Sequence, residues 1–516
     1  MVFQNDIIAG ASAAGGGYEI DQSIRFNDDD SARLARTVSS SGSLTTWTLS
    51  GWIKRGKYTV NTNGQWFPVF SASAGSTAYD APFSFNDVST GGAFNVYIGG
   101  YQWRTSALAR DTSAWYHVVT VWDSNNGTAS ERMRLYINGE RVTDFSISAS
   151  PSSGANSRWN SSSYSHHRIG NLNYTGGETT YVFGGYLAEI NFIDGSALDA
   201  TSFGETNSDG VWVPIAYTGS ATGNSFYITG ETASDLGEDF SGNGNDFTST
   251  GLATTDQMLD TPTNNFWTLN PTDPHGSNVN ILDGNLRADC TSSAVGSVFA
   301  PMLPETGKWA WEITATLNRG PSSEYPVLGI VPANNADLSG PMRSGGTGEG
   351  YGADGRFFSA SAGSNSAYGA TWADGDVIQV GWDADNGTLS FWHNGSAQGT
   401  AVTGLTGRWK PAQDHYATSG GDTTTDFGQS GYTPTDSSYK TLCTANLFTP
   451  SITDGSAHFQ PTLYTGDSST NNTITGVGFE PDFVWLKART LGTGGNHVLV
   501  DSVRGDVNAP STTKEL

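Results

Sequence analysis

Trp122-Asp123-Ser124-Asn125-Asn126-Gly127-Thr128 returns in the same chain as Trp382-Asp383-Ala384-Asp385-Asn386-Gly387-Thr388. Each copy reads as a strand ending in Trp-Asp, a loop, a short apolar strand (residues 133–137 and 389–393) and an Asn-Gly turn. The turns are Asn138-Gly139 and Asn394-Gly395. Asn-Gly is the favoured pair there because a type I′ turn needs positive φ at both central residues. The copies begin at residues 122 and 382, and so far apart they predict two domains of related architecture.

Working outward, strand periodicity dominates. In residues 115–122, Tyr116, Val118 and Trp122 fall on one face, and Trp115, Val119 and Val121 on the other. In residues 308–316, Trp309, Trp311 and Ile313 alternate with Ala310, Glu312 and Thr314. This period of two is the half-buried strand pattern. Trp47, Trp52, Trp115 and Trp122 lie in such strands and are read as core. Further turn pairs (Asn126-Gly127, Asp283-Gly284, Asn386-Gly387) close short strands, and no long amphipathic helix stands out. The expected fold is all-β, with tandem antiparallel jelly-roll sandwiches plus a C-terminal β-rich module.

Composition narrows the function. The 516 residues hold 65 Gly, many tight turns' worth, and 12% aromatics including 16 Trp, enough to fill several cores. The net charge of −25, without a Lys/Arg cluster, argues against nucleic acid or an anionic membrane surface as partner. No stretch approaches the roughly 18 apolar residues of a membrane span. Cys290 and Cys443 are the two cysteines, too few for a disulfide framework. Residues 1–17 lack a basic n-region and a long apolar run, so synthesis in a cytoplasm is expected.

The same residues carry family resemblances. Trp47-Thr-Leu-Ser-Gly51-Trp52, Trp115-Tyr-His-Val, Leu135-Tyr-Ile-Asn138-Gly139 and Gly185-Tyr-Leu-Ala-Glu-Ile-Asn-Phe-Ile-Asp194 resemble a laminin-G/concanavalin A-like sandwich. Gly307-Lys-Trp309-Ala-Trp311, Gly375-Asp376-Val-Ile378, the second Trp-Asp copy and Asp426-Phe-Gly428 resemble a SPRY domain. Residues 476–487 and 501–505 resemble a module of marine bacteriophage tail-fibre proteins, which normally runs on past the position of Leu516. The implied plan is an attachment segment (1–20), a concanavalin A-like domain (21–218), a linker or strap (219–284), a SPRY-like domain (285–432) and a C-terminal β module (433–516), with strand-like segments around 475–480. The order of modules resembles phage fibre proteins. It implies a virion protein, a tail fibre or adhesin that binds a host-surface glycan or protein and assembles with other virion proteins. The resemblance also implies a homo-oligomer, with a trimer favoured. A purely structural virion protein and a glycan depolymerase are the alternatives.

Sites are weighed against plainer readings. Glu189-Ile-Asn191-Phe-Ile-Asp194 resembles the acidic strand of concanavalin-fold glucanases, which needs two carboxyl groups roughly 5–5.5 Å apart. Here Asn191 replaces the middle acid, and in an unbulged strand Glu189 and Asp194 face opposite ways, so no catalytic residue and no enzyme is expected. Asp239–Asp246 matches the front half of a calcium loop, with Thr250 where the twelfth-position Glu belongs. Calcium is therefore the one cofactor left open. His166-His167 are adjacent and cannot easily share a metal. Gly340–Gly355 lacks the Lys-Ser/Thr of a phosphate loop. Sugar rings stack on aromatic faces, and the aromatics in turn-like polar surroundings are Trp66, Tyr101, Trp103, Trp159 and Tyr164, the expected carbohydrate-binding residues.

Overall fold

The computed structural model describes residues 17–503 apart from 57–65, 76, 87–90, 175–176, 178–180, 274–278, 291–294, 316–325, 336, 339, 344–345, 361–362, 416–421, 449–451, 453–454, 467–471 and 489–496; the side chains of Trp66 and Ser364 also lie outside the description. Among the described residues there are β-strands and short 3-10 turns but no α-helix. The all-β expectation holds.

The first sandwich packs two antiparallel sheets face to face. One sheet runs from the edge hairpin Met133–Ile137 through Trp115–Asp123, Thr46–Arg55 and Gly185–Asp194 to Ser23–Phe26. The other runs from Phe145–Ser148 through Tyr101–Leu108, Ala93–Ile98, Tyr79–Asn86 and Trp66–Ser73 to His166–Ile169 and Arg33–Arg36. The inner face of Trp115–Asp123 delivers Tyr116, Val118 and Trp122 to the main core, and its outer face turns Trp115, Val119 and Val121 to satellite clusters. The alternation seen in the sequence is therefore the division between the two faces. The second sandwich repeats the plan. Lys308–Ala315, Val377–Asp383 and Thr388–His393 pair in sequence within one sheet, and Val327–Pro332 with Trp409–His415 centres the other.

The repeated hairpin is the same object in both domains. Asn138 and Asn394 have φ of 48° and 47°, followed by positive-φ Gly139 and Gly395. The Asn138 side-chain oxygen accepts from the His117 amide at 2.8 Å, and that of Asn394 accepts from the Val377 amide at 2.9 Å. Asn126 donates its side-chain amide to Asp123, as Asn386 does to Asp383, both at 2.9 Å. The two tryptophans also occupy matching places, Trp122 opposite Trp47 and Trp382 opposite Trp309.

Residues 219–284 are not a free linker. Phe226–Ile228 pairs with Gly185–Asp194, Thr248–Thr250 with Arg33–Arg36, and Gln257–Met258 with Ser23–Phe26. Phe226, Ile228, Leu236 and Phe247 join the main core. Val279–Leu282 already belongs to the second sandwich. The Thr/Asn/Pro-rich composition concealed this because such short edge strands pair through backbone groups, which carry no sequence signature.

The described residues between 452 and 503 group with Thr206–Val211 as a second compact unit. Its strands are Phe483–Leu486 and Val498–Asp501, while residues 475–480, expected to be strand-like, are irregular. The expected attachment segment falls mostly on residues 1–16, outside the described residues. Tyr18 and Ile20 pack on the outer face of the first sandwich. Both cysteines are buried, and no disulfide joins them.

Candidate functional site

The acidic strand Gly185–Asp194 holds the two carboxylates that a hydrolase would need. A bulge does occur in Gly185–Asp194, between Ala188 and Asn191, and Glu189 there takes a φ of 52°. The extra residue shifts the inward set from Leu187 to Ile190 and Phe192. Glu189 is thereby turned to the outer side, where its carboxylate accepts from Tyr227 Oη at 2.6 Å and Tyr18 Oη at 3.0 Å. Burial raises its pKa, although both hydroxyls oppose the shift. Asp194 sits at the rim with a different set of partners, accepting from the Ser43 amide and Asn160 Nδ2, both at 2.8 Å. The two acids share no partner and form no pair.

The rim around Asp194 carries a connected polar network. Asn160, at φ 71°, donates to Asp194 and accepts from Asn224 Nδ2 at 2.7 Å. Its own amide donates to His167 Nε2 at 3.1 Å, which leaves the ring proton of His167 on Nδ1. Burial first, then Arg36 and His166, push the His167 pKa down to about 3, so the ring is neutral. Gly42 is required here by close approach, since a Cβ would overlap Asp194 and Asn160.

Beside this network opens a cleft of about 510 Å³, lined among others by Arg36, Ser39, Ser165, Asn224, Asn245 and Asp246. Arg36 ends its strand and reaches Asn224, donating Nη1 to the main-chain oxygen at 3.2 Å and Nη2 to Oδ1 at 3.3 Å. It also donates to Asn245 Oδ1. Among the described residues no carboxylate pairs with it directly. Burial lowers its pKa, against the fields of Asp239, Asp246 and Asp194. A void of about 10 Å³, room for one water, adjoins the cleft and shares Arg36 and Asn224 with it; Trp159 and His167 line this void.

The 239–246 loop supplies the cleft's other wall and is closed by its own donors. Asp239 accepts from the Tyr227, Ser241 and Asn245 amides at 2.8–2.9 Å and from Ser241 Oγ at 2.8 Å. Asp246 Oδ1 accepts from the Asp239 amide at 2.9 Å, and Asn243 and Asn245 turn their amide nitrogens to main-chain oxygens. Oxygens engaged by N–H groups are poorly placed to ligate a cation. Millimolar calcium, or a chelator, is expected to leave the melting temperature unchanged; a fall of several degrees with chelator would contradict this.

Of the five expected carbohydrate-binding aromatics, the four whose side chains are described do not converge. Trp159 is 1% exposed, packed edge-on against Phe70, His167 and Phe192, and offers no face to a sugar. Trp103 is buried on Phe145 and donates Nε1 to the Ala149 oxygen at 2.6 Å. Both are corrected to core residues, because strands distant in sequence enclose Trp159 and Phe145 covers Trp103, contacts that local sequence does not show. Tyr101 is half-buried near the opposite edge of the sheet, hydrogen-bonded to Ser152. Tyr164 is half-buried beneath the Arg158 guanidinium and adjoins Ser165 of the cleft. The side chain of Trp66 lies outside the described residues. Of the cleft residues, Asn245 and Asp246 stand out in sequence only as part of the calcium-like 239–246 loop, and no motif marks Arg36 or Asn224. The available signal was an arginine at a strand end in an acidic chain.

With this geometry in hand, residues 26–201 match the concanavalin A-like lectin/glucanases superfamily and residues 308–412 match the SPRY domain. The chain carries a laminin-G/concanavalin A-like domain and a SPRY domain. Residues 454–514 match a domain of unknown function, DUF7483. Among solved structures, the SPRY domain of human HERC1 is 15% identical, with 31% of this chain and 96% of that one covered and a TM-score of 0.27. A human SPRY domain is 18% identical, covering 31% and 99%, at a TM-score of 0.25. The structure of stonustoxin is 17% identical, covering 31% of this chain and 27% of that one, at 0.24. No curated protein matches the chain. Both named domain types are lectin-like and point in general terms to binding or adhesion.

Proposed function

We propose that this chain is a virion adhesin of the tail-fibre type, binding a glycan or protein on a bacterial surface without breaking bonds. The observation that carries the adhesive reading is the tandem of two lectin-type sandwiches, one of them with a preorganised polar cleft. The order of modules along the sequence supports the virion assignment. Glu189 and Asp194, on different sides of the sheet with separate partners, support binding over hydrolysis. Other virion proteins are its proposed neighbours, and several copies of the chain assemble together.

Purified chain added to host bacteria before infection is expected to slow adsorption of the virions that carry it, in proportion to its concentration. Adsorption at the full rate would favour the alternative in which the sandwiches act as spacers.

A further inference from the structure

We infer that the cleft at Arg36 is a saccharide site selective for uncharged, hydroxyl-bearing residues, with Arg36 and Asp246 as its specificity pair. This deepens the adhesive reading and rests on it. A guanidinium has five N–H donors. Three hydrogen bonds to Asn224 and Asn245 engage Nη1 and Nη2 of Arg36, leaving Nε–H and one Nη1 proton available. Asp246 is exposed on the same cleft, and among the described residues Oδ1 alone is engaged, by the Asp239 amide. The cleft therefore presents a free cationic donor and a free anionic acceptor, and the exposed residues Ser39, Ser165 and Thr248 line it as well.

That combination discriminates by chemistry. A carboxylate or sulfate would satisfy Arg36 but face Asp246, and a lysine-rich peptide would satisfy Asp246 but face Arg36. A vicinal diol donates to one and accepts from the other. The surrounding field decides the same way: Asp194, Asp239 and Asp246 all act on Arg36, three carboxylates against one guanidinium, in a chain of net charge −25. Polyanions are repelled by that balance, whereas neutral glycans are indifferent to it. The amides that hold Arg36 are themselves fixed, since Asn224 bonds to Asn160 and the Ser40 oxygen, and Asn245 to the Gly223 and Ser225 oxygens. The donor is thus positioned before ligand arrives.

The test is a printed array of neutral, uronate-bearing and sulfated bacterial glycans, read with the full chain, Arg36→Gln and Asp246→Asn. The parent chain is expected to bind neutral glycans only. Arg36→Gln should lose about tenfold or more in affinity, and Asp246→Asn should begin to accept uronates. Asp246→Asn keeps the inference testable if Arg36→Gln fails to fold. Preference of the parent chain for acidic glycans, or parent-like binding by both variants, would overturn it. A chain that adsorbs to host cells but binds no arrayed glycan overturns the cleft assignment and leaves the adhesive reading standing. A chain that does not adsorb at all defeats that reading itself.

Discussion

Asp260→Ala is expected to lower the unfolding free energy by about 3–5 kcal/mol. Lys54 and Asp260 are both wholly buried, with Nζ 2.6 Å from Oδ2, so each charge depends on the other. Lys54 also donates to Asn265 Oδ1 at 2.7 Å and the Phe266 oxygen at 3.0 Å, and Asp260 Oδ1 accepts from Trp115 Nε1 at 3.0 Å. Burial lowers the Lys54 pKa while Asp260 opposes the shift. Removing the carboxylate leaves an uncompensated ammonium and an indole N–H without its acceptor. These contacts join the Thr46–Arg55 strand to the segment that continues into the second sandwich. The double variant Lys54→Met/Asp260→Leu should recover most of the loss, because a well-packed apolar pair commonly replaces a buried ion pair at little cost. Urea denaturation of the three proteins checks this. A loss below about 1 kcal/mol for Asp260→Ala would mean that the pair does not clamp the strap.

Acid should pull in opposite directions on His117 of the first sandwich and on three buried carboxyls of the second. In the first, His117 is buried between Ser50 and Trp212, whose Nε1 donates to Nδ1 at 3.1 Å, so Nε2–H faces Ser50 Oγ at 2.9 Å. Burial depresses its pKa to about 3, below the unfolded value near 6.5. The unfolded state therefore gains a proton first, and stability is lost as pH falls below about 6.5, at about 1.4 kcal/mol per pH unit. In the second, burial raises Glu312, Asp414 and Asp422 to about 6. Glu312 lies opposite Asp426, and Asp422 opposite Asp289, so carboxylates face each other across neighbouring strands. Here the native state takes up protons first, and stability is gained as pH falls through 6. His117→Gln should make the loss between pH 7.5 and pH 5 smaller by about 2 kcal/mol, whereas Asp414→Asn should make it larger. The difference between variant and parent carries the test, because Asp80 and Glu189, also raised by burial, oppose the histidines within the first sandwich. Parallel pH profiles for parent and His117→Gln would contradict the buried neutral imidazole.

The sandwich cores were legible because strand faces are written into sequence at period two. The same holds for the turns, where Asn138 and Asn394 perform one task in two domains down to the accepted amide. What escaped was whatever depends on covering or on backbone alone. Trp159 reads as a loop aromatic, and nothing in its neighbours announces that Phe70 and Phe192 enclose it. The 219–284 segment reads as a linker because its strands are edge pairings in a Thr- and Asn-rich chain. The bulge at Glu189 depends on the register against Thr46–Arg55, which no local pattern encodes. Even so, the separation of Glu189 from Asp194 was anticipated correctly, though from an unbulged strand. The cleft was illegible for a different reason. Arg36, Ser165, Asn224 and Asp246 come from four separated stretches; the pairing of His166–Ile169 and Thr248–Thr250 with Arg33–Arg36 brings three of them together, and Asn224 arrives beside Phe226–Ile228, which pairs with Gly185–Asp194.

The most direct test of the central claim, adhesion without cleavage, is to titrate labelled full-length chain onto surface polysaccharide from the host bacterium while assaying reducing ends in the same sample. The claim predicts saturable binding with reducing ends at the level of the protein-free control. Reducing ends that rise with time and protein concentration would contradict it and restore the depolymerase reading, and an absence of saturable binding would contradict adhesion to that glycan.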